Sequence, residues 1–244
     1  MTQYDKIAKE YAEDTERRLS RRFIYNPRFL EFVGDVRGKD ILDLACGSGH
    51  FTRKLRQKGA RKVIGVDLSK EMIRIARQEE ARKRLGIDYR LGDVANLGKI
   101  REFDIVTAGF LLHYSKTKQE LESMCKNIYC NLKKRGRFVT LNQNPDSPCS
   151  THKEYGSTSQ LVGELKEGGK VKVSLWNDGR EQCHFYNYHW KKSTYEQALS
   201  NAGFRDIKWQ DLKVKQEGID RFGQEFWKGW YESPSVICLE ATKP

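Results

Sequence analysis

Three carboxylates and two glycines recur at intervals that suit the binding of a small polar molecule: Asp43, then Gly47 and Gly49, then Asp67, then Asp93 after Gly92. The run DILDLACGSGHF (40–51) passes from apolar residues through Asp43 into a loop, Ala45-Cys46-Gly47-Ser48-Gly49, with almost no side chains. Such a loop lets the backbone turn sharply and lie directly against a ligand. A helix that starts after it offers free N–H groups and a positive dipole to a carboxylate or phosphate. Asp43 is placed to face an ammonium. Asp67, 20 residues beyond Gly47, suits the two hydroxyls of a ribose, and Asp93 suits the exocyclic amine of an adenine.

These residues need elements to hold them at one edge. KDILDL (39–44), KVIGVDL (62–68), IDYRLGD (87–93), FDIVTAGF (103–110) and RFVTLNQN (137–144) read as strands. Helical stretches lie between them: SGHFTRKLRQKG closed by Gly59, SKEMIRIARQEEARKRLG with Ser69 as N-cap, and TKQELESMCKNIYCNLKKRG ended by Gly136. Strand–helix alternation with short connections implies a doubly wound α/β sheet. Its ligand site is expected at the carboxyl ends of the strands, where strand order reverses. The pattern breaks at NPDSPCST (144–151). Beyond it, KVKVSLW and QCHFYNYHW alternate with period two on either side of Asn177-Asp178-Gly179-Arg180, a hairpin signature. A helix (STYEQALSNAG), a strand (FRDIKWQDLKV), an aromatic helix (RFGQEFWKGWYES) and a last strand (VICLEAT) complete the chain. We therefore expect one domain, 1–244, with a seven-stranded sheet. Residues 1–35 form a helical lid, 36–144 a cofactor-binding core, 145–191 a substrate cap inserted after strand five, and 192–244 the remainder of the core.

Dinucleotides and S-adenosylmethionine both fit such a loop. A dinucleotide fingerprint needs a third glycine to pack helix on strand, and Gly47-Ser48-Gly49-His50-Phe51-Thr52 lacks it. Asp43 would also repel a pyrophosphate. Over about residues 36–142 the chain resembles the class I S-adenosylmethionine-dependent methyltransferase family, Rossmann-like in fold. It departs from the family's Asp/Glu-x-Gly-x-Gly-x-Gly motif by placing Ala45 at the first glycine, a mild intrusion of one methyl. The resemblance implies that Asp67 holds the ribose, Leu68 and Met72 flank the adenine, and Asp93 and Val94 bind its polar edge. Asp43, Ala45, Gly47, Gly49 and Ala108 would surround the amino-acid portion, and S-adenosylhomocysteine would be the product. The N-terminal YDKIAKEY is similar to the lid of small-molecule methyltransferases, so Tyr4 and Tyr11 would close over cofactor and acceptor. More narrowly, YHWKKSTYEQALSNAGFRDIKWQ followed by EFW is similar to the N-methyltransferases of azapteridine (toxoflavin) biosynthesis, which implies a planar acceptor.

A sulfonium methyl is already electrophilic, so the protein's main task is alignment and exclusion of water. A base is required only where the acceptor must lose a proton early. Strand four ends in Ala108-Gly109-Phe110-Leu111-Leu112-His113-Tyr114, without the Asn/Asp-Pro-Pro-Tyr of enzymes that methylate nucleobase or protein amides. His113 and Tyr114 are candidates for substrate contact. Pro148-Cys149 is similar to the Pro-Cys nucleophile of cytosine C5 methyltransferases but follows strand five instead of four. In the cap, Trp176, Tyr188 and Trp190 are candidate walls for a flat substrate, although aromatic hairpin faces pack as core more often. His184, Tyr186, Tyr188 and Trp190 share one face of their strand, and Phe185, Asn187 and His189 the other. His189 is the first candidate for a base, with His113 second.

Composition bounds the rest. The 244 residues are 38% hydrophobic and 32% charged, which describes a polar globular protein without an apolar run long enough for a membrane span. The N-terminal stretch carries charges where a secretory signal needs an apolar core, so a cytoplasmic location is expected. Six cysteines lack CxxC or Cys/His spacing, so free thiols and no metal site are expected. The net charge of +12 and the RRLSRR run (17–22) raise an RNA or protein methyltransferase as the alternative. Most basic residues interleave with Glu, as on a solvated helix face, and an aromatic cap would shut out a polymer. A cofactor-binding protein without catalysis is a further alternative. The leading reading is methyl transfer to N or O of a small planar metabolite by a monomer or homodimer.

Overall fold

The computed structural model describes residues 2–14 and 18–244. Met1 and residues 15–17, which include the first arginine of RRLSRR and part of the expected lid, lie outside the described residues. A short 3₁₀ turn (Tyr4–Lys6) and α1 (Ala8–Asp14) open the chain. A π-turn over Arg21–Tyr25 then runs into α2 (Asn26–Val33), which Gly34 ends at φ 76°.

Five strands follow, β1 (Asp40–Leu44), β2 (Lys62–Asp67), β3 (Asp88–Leu91), β4 (Phe103–Ala108) and β5 (Leu132–Gln143). They alternate with α3 (His50–Gln57), α4 (Lys70–Arg82) and α5 (Lys118–Cys130). β1 is buried along its whole length, as a parallel strand covered on both faces must be. The polar exceptions are each satisfied. Asp40 accepts two bonds from Arg61 at 2.8 Å, and Asp43 accepts from Thr52 and Thr107. α4 starts where Ser69 Oγ accepts the Met72 N–H at 3.2 Å, an N-cap legible from the sequence.

The insertion is larger than a hairpin. β6 (Ser157–Val162), β7 (Gly169–Asn177) and β8 (Arg180–His189) form a separate three-stranded antiparallel sheet. The Asp178-Gly179 turn has φ of 49° and 73°, the doubly left-handed geometry of a type I′ turn. α6 (Lys192–Ala202), β9 (Arg205–Asp211), α7 (Gln216–Phe222), α8 (Lys228–Glu232) and β10 (Val236–Thr242) finish the chain. The main sheet has the order β3-β2-β1-β4-β5-β10-β9, parallel except for β10, which runs antiparallel to both neighbours. The doubly wound, seven-stranded α/β class expected from the sequence is the one that forms. Strand order reverses between β1 and β4, so their carboxyl ends frame a crevice.

Two element boundaries differ from the sequence reading. α5 stops at Cys130 and not at Gly136, because Asn131 reaches back: its Oδ1 accepts the Ile100 N–H at 2.7 Å and its Nδ2 donates to Gly98 O at 2.7 Å. KKRG then bulges within β5, where the register jumps from Phe103–Leu132 to Ile105–Arg137. The expected aromatic helix is broken at Gly223 (φ 81°), leaving α7, a 3₁₀ turn (Glu225–Trp227) and α8. The break lets Trp227 and Trp230 bury their rings and donate to Gly218 O and Leu212 O, each at 2.9 Å. Trp227 packs with Phe23, Phe29 and Leu55 on one side of the sheet, while Met124, Cys125, Ile128 and Leu199 pack on the other. Each large apolar side chain so buried contributes about 1.5–3 kcal/mol. Among the described residues no helix is long and apolar enough to cross a membrane.

Candidate functional site

The crevice opens into a cavity of about 610 Å³, within the range of small-molecule sites. Its floor is the loop after β1, its sides are the ends of β2, β3 and β4, and its cover comes from the N-terminal segment and β8. Of the expected cofactor residues, Tyr11, Ala45, Gly47, Asp67, Leu68, Met72, Asp93 and Val94 line it.

Asp67 is fixed by backbone donors: Gly47 N–H at 2.8 Å on Oδ2 and Ser69 N–H at 2.8 Å on Oδ1. Burial raises its pKa, while these two bonds act in the opposite direction. Asp93 accepts the Ala95 N–H at 3.0 Å and the Asn96 side-chain amide at 2.8 Å. Leu68, 55% exposed, presents bare apolar surface at the cavity rim, and Met72 lies buried below the loop.

Three expected residues are placed elsewhere. Asp43 does not reach the cavity and so faces no ammonium. Its Oδ2 accepts from Thr52 Oγ1 at 2.6 Å and its Oδ1 from Thr107 Oγ1 at 2.9 Å, tying β1 to α3 and β4 beneath the loop. Burial, opposed by those hydroxyls, pushes its pKa up to about 6. Gly49 sits at φ 86° against Tyr89, and a Cβ there would collide with the phenol, so its role is the turn itself. Ala108 is fully buried, and Gly109 takes its place on the cavity wall. Ala45 has φ 50°, so its side chain costs more than a methyl's intrusion: it holds an L-residue in left-handed backbone.

The N-terminal segment lies over the opening because it is pinned at two points. Asp5 Oδ1 accepts the Ser69 hydroxyl at 2.6 Å and the Glu71 N–H at 3.3 Å, at the start of α4. Mainly through the Ser69 bond, the Asp5 carboxyl is held at about 2. The Gln3 side chain exchanges two bonds with the Tyr186 backbone, at 2.8 and 2.9 Å. Between these anchors Tyr4 meets Tyr11 edge-on at 5.3 Å, and its hydroxyl is hydrogen-bonded to that of Tyr114. Burial raises the pKa of both Tyr4 and Tyr114, so both phenols stay protonated.

β8 divides its two faces between two cavities. Tyr186 and Tyr188 face the large one, whereas Phe185 and Asn187 face a smaller one of about 60 Å³. Tyr11, Arg21, Phe110 and Tyr114 border both. His113 lines the smaller cavity, not the larger. Its Nδ1 lies 2.8 Å from Asn142 Oδ1, and burial lowers its pKa to about 4, so the ring is neutral at neutral pH. His189 lines neither cavity. It shares the Phe185 face but lies beyond the cavity end, where its carbonyl accepts the Gly168 N–H at 2.8 Å, so the structure brings it to no site as a base. Trp176 and Trp190 likewise line neither cavity. Trp176 donates to Thr158 Oγ1 at 2.9 Å under Lys153, and Trp190 is core, donating to Ser115 O at 3.0 Å. The sequence reading left out Tyr186 and Arg21 as site residues. Period-two alternation with Tyr188 signals the first; nothing local signals the second.

A protein-family model described as a methyltransferase domain matches residues 41–136, the segment that builds the loop and β1 to β4. An uncharacterized protein of Haemophilus influenzae is 30% identical over 236 residues, covering 90% of this chain and 87% of that protein. The chain belongs to the class I methyltransferase family. Within it, the methyltransferase is 33% identical over 127 residues to a ubiquinone biosynthesis O-methyltransferase of Coxiella burnetii, an alignment covering 50% of this chain and 53% of that enzyme. The chain thus spans about half the length of that relative. A crystal structure of an S-adenosylmethionine-dependent methyltransferase from Mesorhizobium loti superposes with a TM-score of 0.66 at 20% identity, covering 89% and 96% of the two chains. At that identity the likeness is one of fold.

Proposed function

We propose that the protein transfers the methyl group of S-adenosylmethionine to N or O of a small, planar metabolite held under the N-terminal segment and the 145–191 insertion. The observation that carries this reading is the cover of the large cavity: Tyr4, Tyr11, Tyr114, Tyr186 and Tyr188 lie across it, with the segment pinned through Gln3 and Asp5. An aromatic-lined, partly covered crevice suits a flat small molecule better than a polymer.

The residues present fit the cofactor. Asp67 and Asp93 keep acceptor capacity at successive strand ends for ribose hydroxyls and an adenine amine, and exposed Leu68 offers the apolar face an adenine would cover. Gly47, at φ 56° with only Met72 Sδ 4.0 Å from where a Cβ would stand, leaves the loop backbone bare toward the amino-acid portion. When bound, the cofactor supplies a methyl on a sulfonium, which needs no further activation. The chain's contribution is alignment and dryness. Of the protonated, mutually bonded phenols of Tyr4 and Tyr114, one O–H lies in the bond between them, and the other is left to orient an acceptor's lone pair by donating to it. Neutral His113, on the smaller cavity, is a ring able to take a proton, and an amine or pre-ionised acceptor would not require it.

The aromatic cover supports a small-molecule acceptor over RNA or protein. So does RRLSRR, in which Arg18 and Arg21 are buried and only Arg22, among the described residues, points outward beside Glu217. The test is incubation with S-adenosylmethionine labelled in its methyl group, against a panel of planar heterocycles, phenols, total RNA and protein. Label in a heterocycle or phenol is the expected outcome; label confined to RNA or protein contradicts the reading.

A further inference from the structure

The smaller cavity is lined by a buried guanidinium, that of Arg21, to which no carboxylate among the described residues is bonded. Arg18 and Arg21, each 5% exposed, line it, and no Asp or Glu does among the described residues. Arg21 is the telling one. One of its Nη atoms donates to Tyr11 Oη at 2.5 Å, its Cζ lies 5.2 Å from the Phe110 ring centroid, and its Nε has no hydrogen-bond partner. A buried guanidinium with an unused donor is costly unless something anionic meets it. Arg21 opens the π-turn, and Tyr25, which closes it, lines the same cavity. π-turns of this kind re-aim side chains and recur at functional sites. The opposite wall comes from the insertion, with the Ser159 hydroxyl, buried and unbonded, available to donate.

We propose that this cavity receives an anionic group, carboxylate or phosphate, carried by the methyl acceptor, with Arg21 as its principal ligand and Ser159 as a second donor. The inference rests on the methyl-transfer reading above. None of the glycine-loop residues 45–48, Asp67 or Asp93 borders the smaller cavity, so its occupant is distinct from what that loop binds. Tyr11, Phe110 and Tyr114 form the partition between the two cavities, which lets one molecule keep its anion by Arg21 and its reacting atom on the Tyr4 side. The volume of about 60 Å³ accommodates an anionic group and little more.

The test uses the full chain, thermal-shift titration and three probes: benzoate, phenylphosphonate and the neutral isostere benzamide, each with S-adenosylhomocysteine at saturation. At least one anion should raise Tm while benzamide does not. Arg21→Met should weaken the anion about tenfold or more and S-adenosylhomocysteine by no more than about threefold. Ser159→Ala, whose fold is at little risk, should weaken the anion about threefold. No preference for the anions, including no shift from either, overturns the proposal. An equal loss of S-adenosylhomocysteine binding in Arg21→Met also overturns it, because Arg21 would then serve the cofactor's own carboxylate. Should that variant fail to fold, unchanged anion affinity in Ser159→Ala overturns the proposal in its place. An anion preference without any S-adenosylhomocysteine shift in the wild type would sink the methyl-transfer reading while leaving the anion site standing.

Discussion

The Gly47 N–H donates to Asp67 Oδ2 at 2.8 Å, joining the glycine loop after β1 to the end of β2 across 20 residues of chain. With Ser69 N–H on the other oxygen, the carboxylate has no freedom to rotate, and its remaining lone pairs are aimed before any ligand arrives. Preorganisation of this kind lowers the cost of binding. It also explains why the loop needs bare backbone at Gly47: the amide that faces Asp67 must lie close to it.

Ala45 stands in the same loop at φ 50°. Left-handed backbone costs an L-residue about 1–2 kcal/mol, against about 0.5–1 kcal/mol of extra chain entropy lost by glycine. Ala45→Gly should therefore raise stability by up to about 1 kcal/mol in urea titrations, with cofactor affinity retained. A loss of stability would mean that the methyl packs favourably enough to outweigh the backbone.

Asp43 should impose a pH dependence on folding. Its folded value of about 6 lies above that of an unfolded Asp, near ~3.9, so the folded state holds the proton more tightly. The stability contribution is fully present below pH ~4 and is lost as pH rises through about 6, amounting to ~3 kcal/mol. Asp43→Asn removes the charge; its Oδ1 still accepts from one threonine hydroxyl, while its Nδ2 must donate to the other, whose hydroxyl turns to accept. The stability difference between variant and wild type should grow in the variant's favour from pH 4 to pH 7. A constant difference across that window would contradict the assignment.

The Tyr4 and Tyr114 hydroxyls satisfy each other in a buried place. Tyr114→Phe should cost about 1–3 kcal/mol, because it leaves the Tyr4 hydroxyl unpaired. Adding Tyr4→Phe should restore part of that loss, giving a coupling of about 0.5–3 kcal/mol in a double-mutant cycle. Additive losses would show that the two phenols act independently.

Much of this site was legible in the sequence, and the reason is locality. Gly47, Asp67 and Asp93 sit at strand ends, each marked by its own apolar run and turn, so their shared edge follows from strand–helix alternation alone. Asp43 was misread because its partner Thr107 is 64 residues away, and only the packed sheet shows that its side chain turns inward. Alternation separates Tyr186 and Tyr188 from Phe185 and Asn187, as the two cavities do. How far β8 runs past the cavities is a tertiary fact that alternation does not contain, and His189 and Trp190 line neither. β6 escaped notice because Ser157-Thr158-Ser159-Gln160 is polar, and pairing with β7, not hydrophobic pattern, makes it a strand. Arg21 was read as surface charge; a π-turn turns it inward.

The most direct test of the account is the affinity of S-adenosylhomocysteine for the wild type and for Asp67→Asn, measured by thermal shift. Asn keeps an acceptor for the Gly47 N–H but loses the charge and one acceptor oxygen for the ribose. The account predicts about 2.7 kcal/mol of stabilisation of the wild type at 100 times the dissociation constant. It also predicts affinity about tenfold or more weaker in the variant. No shift in the wild type at saturating ligand, or equal affinity in the two proteins, would contradict it.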